Sequence, residues 1–150
     1  MKVEHYCVRN VAAISAAADV VDAARLMRER HVGFLVVFGE GDALRSPIGV
    51  VTDRDIVLQV TAKEVDPRSV TVEDVMTRQP MIATEDDDVN DLIEGMRLAG
   101  IRRAPVIDSR GALCGIIAID DVIDVIATLL GHVAGSIKSE QRQEWHRRQT

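Results

Sequence analysis

A threonine and an aspartate three positions apart, Thr52 and Asp55, close the stretch Gly49-Val50-Val51-Thr52-Asp53-Arg54-Asp55. The run Ile48 to Val51 is rich in β-branched residues and suits a buried strand. Thr52 is a good N-cap for the helix expected to follow, and Asp53 and Asp55 place negative charge at its positive end. At such a strand-to-helix junction the hydroxyl and the free backbone N–H groups can meet a phosphate. The carboxylate can accept hydrogen bonds from two ribose hydroxyls. The plainer alternative is a capped helix after a strand, with no ligand.

The same stretch occurs again 66 residues later as Gly115-Ile116-Ile117-Ala118-Ile119-Asp120-Asp121. Gly49 matches Gly115, and Asp55 matches Asp121. Upstream the repeat continues at an offset of 69: Val3-Glu4 with Val72-Glu73, Arg9 with Arg78, Ser15 with Thr84, Asp19-Val20 with Asp88-Val89, Met27 with Met96, and Val37 with Val106. The change of offset falls in a loop between two strands, where length changes are tolerated. The chain is therefore two copies of one unit.

Other groups that could carry chemistry fall away on spacing. Glu85-Asp86-Asp87-Asp88 looks like a metal cluster, and Asp86, Asp88 and Asn90 match the opening of an EF-hand loop. Its sixth position is Asp91 rather than Gly and its twelfth is Arg97 rather than Glu, so the run is expected to stabilise a helix N-terminus instead. His5, His31, His132 and His146 have no zinc spacing. Cys7 and Cys114 are isolated and read as reduced, partly buried thiols. No serine sits in a nucleophile elbow, and there is no P-loop or Rossmann glycine pattern.

The elements that must position Thr52, Asp55 and Asp121 follow from periodicity. In the first unit, Val11 to Ile14 is a short strand and Asp19 to His31 a helix with Val20, Ala23, Ala24 and Met27 on one face, ended by Gly33. Phe34 to Phe38 and Ile48 to Val51 are buried strands, and Asp53 to about Val60 a second helix. The second unit repeats this: Met81 to Ala83, a helix with Val89, Leu92, Ile93 and Met96 inward and Gly100 at its end, strands Ala104 to Ile107 and Leu113 to Ala118, and a helix Ile119 to Leu130. Each unit is then an α/β layer of a three-stranded sheet with two helices, and the two must bury their remaining apolar faces against each other. The expected boundaries are 1–65, 66–130 and a helical C-terminal tail, 131–150. The tail carries +2 against a whole-chain net charge of −6.

At 150 residues, with 47% hydrophobic and only 3% aromatic content, the core must be aliphatic. Net charge −6 argues against general nucleic-acid binding. Glu4 and Arg9 interrupt any signal-peptide core, and Asp120, Asp121 and Asp124 break the last apolar run, so a cytoplasmic protein with no membrane span is expected.

The ordered double set resembles a pair of CBS domains, the small nucleotide-sensing modules first noted in cystathionine β-synthase. The residues that carry the resemblance are Val72-Glu73-Asp74-Val75-Met76-Thr77, the amphipathic stretch from Val89, Ala104-Pro105-Val106-Ile107-Asp108, and Gly115 to Asp121. The run Thr52 to Val57 is similar to that of small stand-alone bacterial members. The resemblance covers residues 1 to about 130. It implies two pseudo-symmetric units with ligand clefts between their sheets. In the first cleft Asp55 would hold ribose hydroxyls, Thr52 would sit near ribose or phosphate, and Pro80, Met81 and Ile82 would face an adenine ring. In the second, Asp121 would play the part of Asp55, with Ala118 in place of the usual hydroxyl and Val11-Ala12-Ala13 as lead-in strand. Arg102 and Arg103 stand where a base often faces phosphates, and strand alternation lets only one of them face a given cleft. Arg54 is a further candidate.

The expectation is a non-enzymatic regulatory module that needs no cofactor and takes AMP, ADP or ATP, or less readily S-adenosylmethionine or NAD, as a regulatory ligand. The resemblance further implies a homodimer through the helices 53–60 and 119–130. The alternative is a structural or interaction protein with empty clefts, whose dimer surface or C-terminal helix binds a protein partner.

Overall fold

The computed structural model describes residues 1–147; Arg148 and the last two residues of the tail lie outside the described residues. In chain order the elements are β1 (Ala13–Ser15), α1 (Val20–Arg30), β2 (Phe34–Phe38), β3 (Pro47–Thr52), α2 (Asp53–Ile56) running into a π-helical turn (Val57–Thr61), α3 (Val72–Val75), β4 (Thr77–Arg78), β5 (Ala83–Thr84), α4 (Val89–Ala99), β6 (Arg103–Ile107), β7 (Leu113–Ala118) and α5 (Ile119–Arg147). The architecture is the expected tandem of α/β layers. Strand β1 runs parallel to β2, and β2 pairs antiparallel with β3. Strands β5, β6 and β7 repeat that order and those directions. Even the register irregularity recurs, between Val37 and Phe38 and between Val106 and Ile107.

The two helices that open each unit form for the reasons their sequences give. Asp19 caps α1 by accepting from the Asp22 N–H at 2.8 Å, and Asp88 caps α4 by accepting from Asn90 N–H at 2.9 Å. Gly100 ends α4 in the left-handed conformation, at φ 66°. Helix α1 differs from expectation: His31, at φ 54°, takes the left-handed cap two residues before Gly33. Gly33 instead sits against the Asp53 carboxylate, which a Cβ there, 2.5 Å from Oδ2, would displace.

The first sheet has four strands, not the three expected, because β4 adds antiparallel to β3. The cause is an exchange of lead-in segments between the units. Residues 70–78 pack on the first unit: Val72, Val75 and Met76 join Ile14, Leu35, Val37 and Val51 in its core. Residues 2–8 pack on the second: Val3 joins Ala83, Val89, Met96, Val106 and Ile117. The exchange is symmetric to the residue. The Val72 and Glu73 N–H groups donate to Ala18 and Ala16 carbonyls, and those of Val3 and Glu4 to Asp87 and Glu85 carbonyls. All four partners are related by the offset of 69 seen in the sequence. The repeated glycines make room for these segments: a Cβ on Gly49 would lie 2.4 Å from Met76 Sδ, and one on Gly115 would lie 2.9 Å from Cys7 Sγ.

The acidic run meets this lead-in. Asp88 accepts from the N-terminal amino group at 2.6 Å, Glu85 from Arg9 at 2.6 Å, and Asp86 from Lys2. Only Asp88 serves the helix N-terminus in the expected way. The hydrogen bond to Lys2 holds the Asp86 carboxyl below the usual aspartate range, and that to the amino group does the same for Asp88. Among the described residues no three His, Cys, Asp or Glu side chains are placed to hold a metal.

The last helix is one piece where a short helix and a separate tail were expected. Val122 is buried, but beyond it Ile123, Ile126, Leu129, Leu130, Val133 and Ile137 are 45% to 64% exposed. By length and composition Ile119–Gln141 is also apolar enough to cross a membrane, with a mean hydropathy of 1.3, and 6% of that stretch is buried. Trp145, on the same helix, is 60% exposed.

Candidate functional site

The junction between β3 and α2 closes on itself through a capping box. Thr52 Oγ1 accepts from the Asp55 N–H at 3.1 Å, while Asp55 Oδ2 accepts from the Thr52 N–H at 2.8 Å and the Thr52 hydroxyl at 2.9 Å. The box fixes the carboxylate and spends one of its oxygens, leaving Oδ1 to point a ligand's hydroxyls at. The Asp53 N–H is taken by the Gly33 carbonyl at 3.1 Å, which ties the junction to the start of β2.

This junction forms one wall of a cleft of about 510 Å³ between the two units, within the size range of nucleotide-sized ligand pockets. Thr52, Arg54 and Asp55 stand on one side. Gln79, Pro80 and Met81 come from the chain entering the second unit, and Ile101, Arg102 and Arg103 from the turn before β6. Seven of the expected residues therefore meet here: Thr52, Arg54, Asp55, Pro80, Met81, Arg102 and Arg103.

Two expectations are corrected. Ile82 is not among the residues lining the cleft. Gln79, Pro80 and Met81 line it in succession, and the lining ends one residue short of Ile82, just before β5. Both arginines line it, whereas strand alternation was expected to let only one face it, and Arg102 is at the same time exposed, as expected of one of the two. Strand β6 begins only at Arg103, so Arg102 lies ahead of the strand and outside its alternation. The sequence reading missed Gly33, Phe34 and Gln79. Gly33 and Phe34 had a signal, since they are the repeat partners of Arg102 and Arg103. Gln79 had none: it holds φ 50° immediately before Pro80, a strained conformation of the sort found at ligand sites.

A second cleft of about 320 Å³ is related to the first by the repeat. Asp121 lines it, as expected, with Val11, Ala12, Ala118 and Asp120. Ala13 does not. Ala118 has no hydroxyl, so α5 starts without a capping box, although the Ile119 N–H still finds the Arg102 carbonyl at 3.0 Å. Gly33, Phe34 and Arg103 line both clefts. Arg103 Nη2 lies 3.9 Å from Asp120 Oδ2, a loose and half-exposed pair.

The remaining openings offer less. A groove of about 680 Å³ runs along α5 past Gly131 and Gly135, where absent side chains make the space, and it presents neither an arginine cluster nor an aspartate. Both cysteines are free thiols. Burial is the main cause that pushes the Cys114 thiol up to about 11, which keeps it protonated and poorly nucleophilic.

Comparison with known proteins decides the family. The model of the CBS domain matches the chain twice, over residues 3–61 and 72–128. The chain belongs to the CBS-domain family. An uncharacterized protein of Methanopyrus kandleri, MK0525, is 35% identical over 136 residues, which are 90% of this chain and 67% of that protein. Among solved structures, the hexameric CBS-CP12 protein from bloom-forming cyanobacteria is 31% identical, with a TM-score of 0.71 over 82% of this chain and 69% of that one. The CBS domain protein PAE2072 of Pyrobaculum aerophilum, solved in complex with AMP, shares the fold at 24% identity and a TM-score of 0.72, over 81% of this chain and 89% of that one. The CBS pair described here is thus a tandem with two inter-unit clefts, unequal in size and in charge.

Proposed function

We propose that this CBS pair is a non-enzymatic sensor that binds an adenosine nucleotide, AMP, ADP or ATP, in its first cleft and passes occupancy to a partner. The observation that carries the reading is the junction of Thr52 and Asp55 facing Arg102 and Arg103 across one cleft. Asp55 Oδ1 receives the ribose hydroxyls, the arginines meet the phosphate as charge-assisted donors, and Pro80 and Met81 offer an apolar surface to the base. S-adenosylmethionine fits the same ribose contact but has no phosphate for the arginines, while NAD brings its pyrophosphate to them together with a second nucleotide that the cleft must also hold. The fold holds AMP in the Pyrobaculum protein, which supports the reading. A ligand spanning the cleft touches both units, so binding favours one angle between them over others. Residues 1–65 and 66–130 act as the two halves of this sensor and 131–150 as its output arm.

A homodimer through α2 with its π-helical turn and α5 is part of the proposal, supported by the exposed Val57 and Leu58 of that turn and Ile123 and Ile126 of α5. The exposed stripe of α5 also favours a second reading, an interaction protein with empty clefts that works through that helix.

The test is thermal unfolding with AMP, ADP, ATP, S-adenosylmethionine and NAD, beside an Asp55→Ala variant. A ligand at 100 times its Kd stabilises by about 2.7 kcal/mol, a visible shift. A shift with a phosphate-bearing nucleotide that disappears in Asp55→Ala supports the sensor; no shift with any of the five overturns it in favour of the second reading.

A further inference from the structure

The two clefts share one charged side chain among the described residues, and they differ in the charge around it. Arg54, Arg102 and Arg103 line the first cleft against Asp53 and Asp55. The second has Arg103 and His31 against Asp120 and Asp121, and Arg103 is already within 3.9 Å of Asp120. A phosphate entering the first cleft meets an excess of arginines. One entering the second meets two carboxylates, and its only arginine is engaged. Ala118 removes the hydroxyl that Thr52 supplies on the other side.

We infer that the clefts divide adenosine ligands by charge, the first taking a phosphate-bearing nucleotide and the second a nucleoside without phosphate, with Arg103 as the shared cation through which each senses the other. This rests on the reading that the clefts hold adenosine ligands. The physical basis of the sharing is the looseness of the Arg103–Asp120 pair. At 3.9 Å it lies beyond hydrogen-bond distance, and the two side chains are 40% and 62% exposed, so the guanidinium leaves Asp120 at little cost. A phosphate in the first cleft offers it a charge-assisted, bidentate partner instead. Asp120 then faces the second cleft without its counter-charge, and that cleft turns further against anions. Conversely, neutralising Asp120 frees Arg103 for the first cleft and removes a negative charge from the second.

The experiment is calorimetric titration with AMP and with adenosine on the wild-type chain, Asp120→Asn, Arg103→Gln and the double variant. Asp120 is exposed, so Asp120→Asn leaves the fold intact. In the wild type, AMP binds with a stoichiometry of one, and AMP-saturated protein still takes up adenosine in a manner lost in Asp121→Ala. Asp120→Asn tightens AMP about 5-fold at the first cleft and leaves its stoichiometry at one. Arg103→Gln weakens AMP about 10-fold or more, and on that background Asp120→Asn changes AMP affinity less than about 2-fold. Equal binding of AMP in both wild-type clefts, or an Asp120→Asn effect of the same size with and without Arg103, overturns this inference alone. Failure of the wild type to bind AMP or adenosine at all overturns it together with the proposed function.

Discussion

Asp55 does two things with one carboxylate. Its Oδ2 completes a capping box with Thr52, and its other oxygen is left to the cleft. Asp55→Ala therefore costs stability without any ligand present, by up to about 1 kcal/mol for the reciprocal half of the box, while the Thr52 cap to the residue-55 N–H survives. The second unit offers the reverse experiment. Asp121 occupies the position of Asp55, but Ala118 supplies no hydroxyl. Ala118→Thr is expected to complete the second capping box and raise stability by up to about 1 kcal/mol in urea unfolding. Unchanged or reduced stability would show that the junction does not behave as a repeat of the first. At this scale much of the site was legible in the sequence, because a loose pair of residue types gained weight from occurring twice at matched positions. Ile82 was misplaced because the sequence left open, by a residue, where the segment entering β5 leaves the cleft wall. The role of Gln79 was illegible, since no residue type at that position marks a left-handed conformation before a proline.

The strands and helices of each unit repeat so closely that either copy predicts the other, and periodicity alone found most of them. What periodicity missed is what depends on the other unit. Strand β4 exists because the second unit's lead-in lies along β3, and Gly49 is small because Met76 passes there. The acidic run 85–88 was read locally as a helix-end device. Its partners Met1, Lys2 and Arg9 lie more than 70 residues away in sequence, which local reading cannot connect. These pairs set a pH window. Asp86 and Asp88 are lowered from 3.8, so they stabilise the folded state above that value and the contribution is lost as pH falls through their folded values. Lys2 is raised from 10.5, so its contribution is present below that value and is lost as pH rises past its folded value. Hydrogen exchange of the amides of Val3 and Glu4 is expected to show fastest opening, relative to the β2 and β6 amides, below about pH 3.8 and slowest near neutrality. Protection that ignores this acid range would show the pairs to be mere surface contacts.

For the whole molecule, the folded body accounts for residues up to about Val122, and α5 continues from it with an apolar face open to solvent. Such a stripe on a 29-residue helix is larger than a monomer needs. Covering by a second copy is the expectation, so Ile126→Glu with Leu130→Glu should convert a dimer into a folded monomer by light scattering. A wild-type monomer that partitions onto lipid vesicles would contradict it. The sequence showed the apolar residues but placed a boundary after Leu130, because the repeat has no counterpart from Gly131 onward; Gly131 and Gly135 each cost an exposed helix only about 1 kcal/mol, and the helix runs through them. The central claim, however, is that the first cleft is a nucleotide site and that Asp55 holds its ribose. Its most direct test is a calorimetric titration of AMP into the wild type and into Asp55→Ala, each first checked for cooperative unfolding. Saturable binding in the wild type that weakens about 10-fold or more in the variant is the predicted result. Absent binding, or equal affinity in a folded Asp55→Ala protein, would contradict the account.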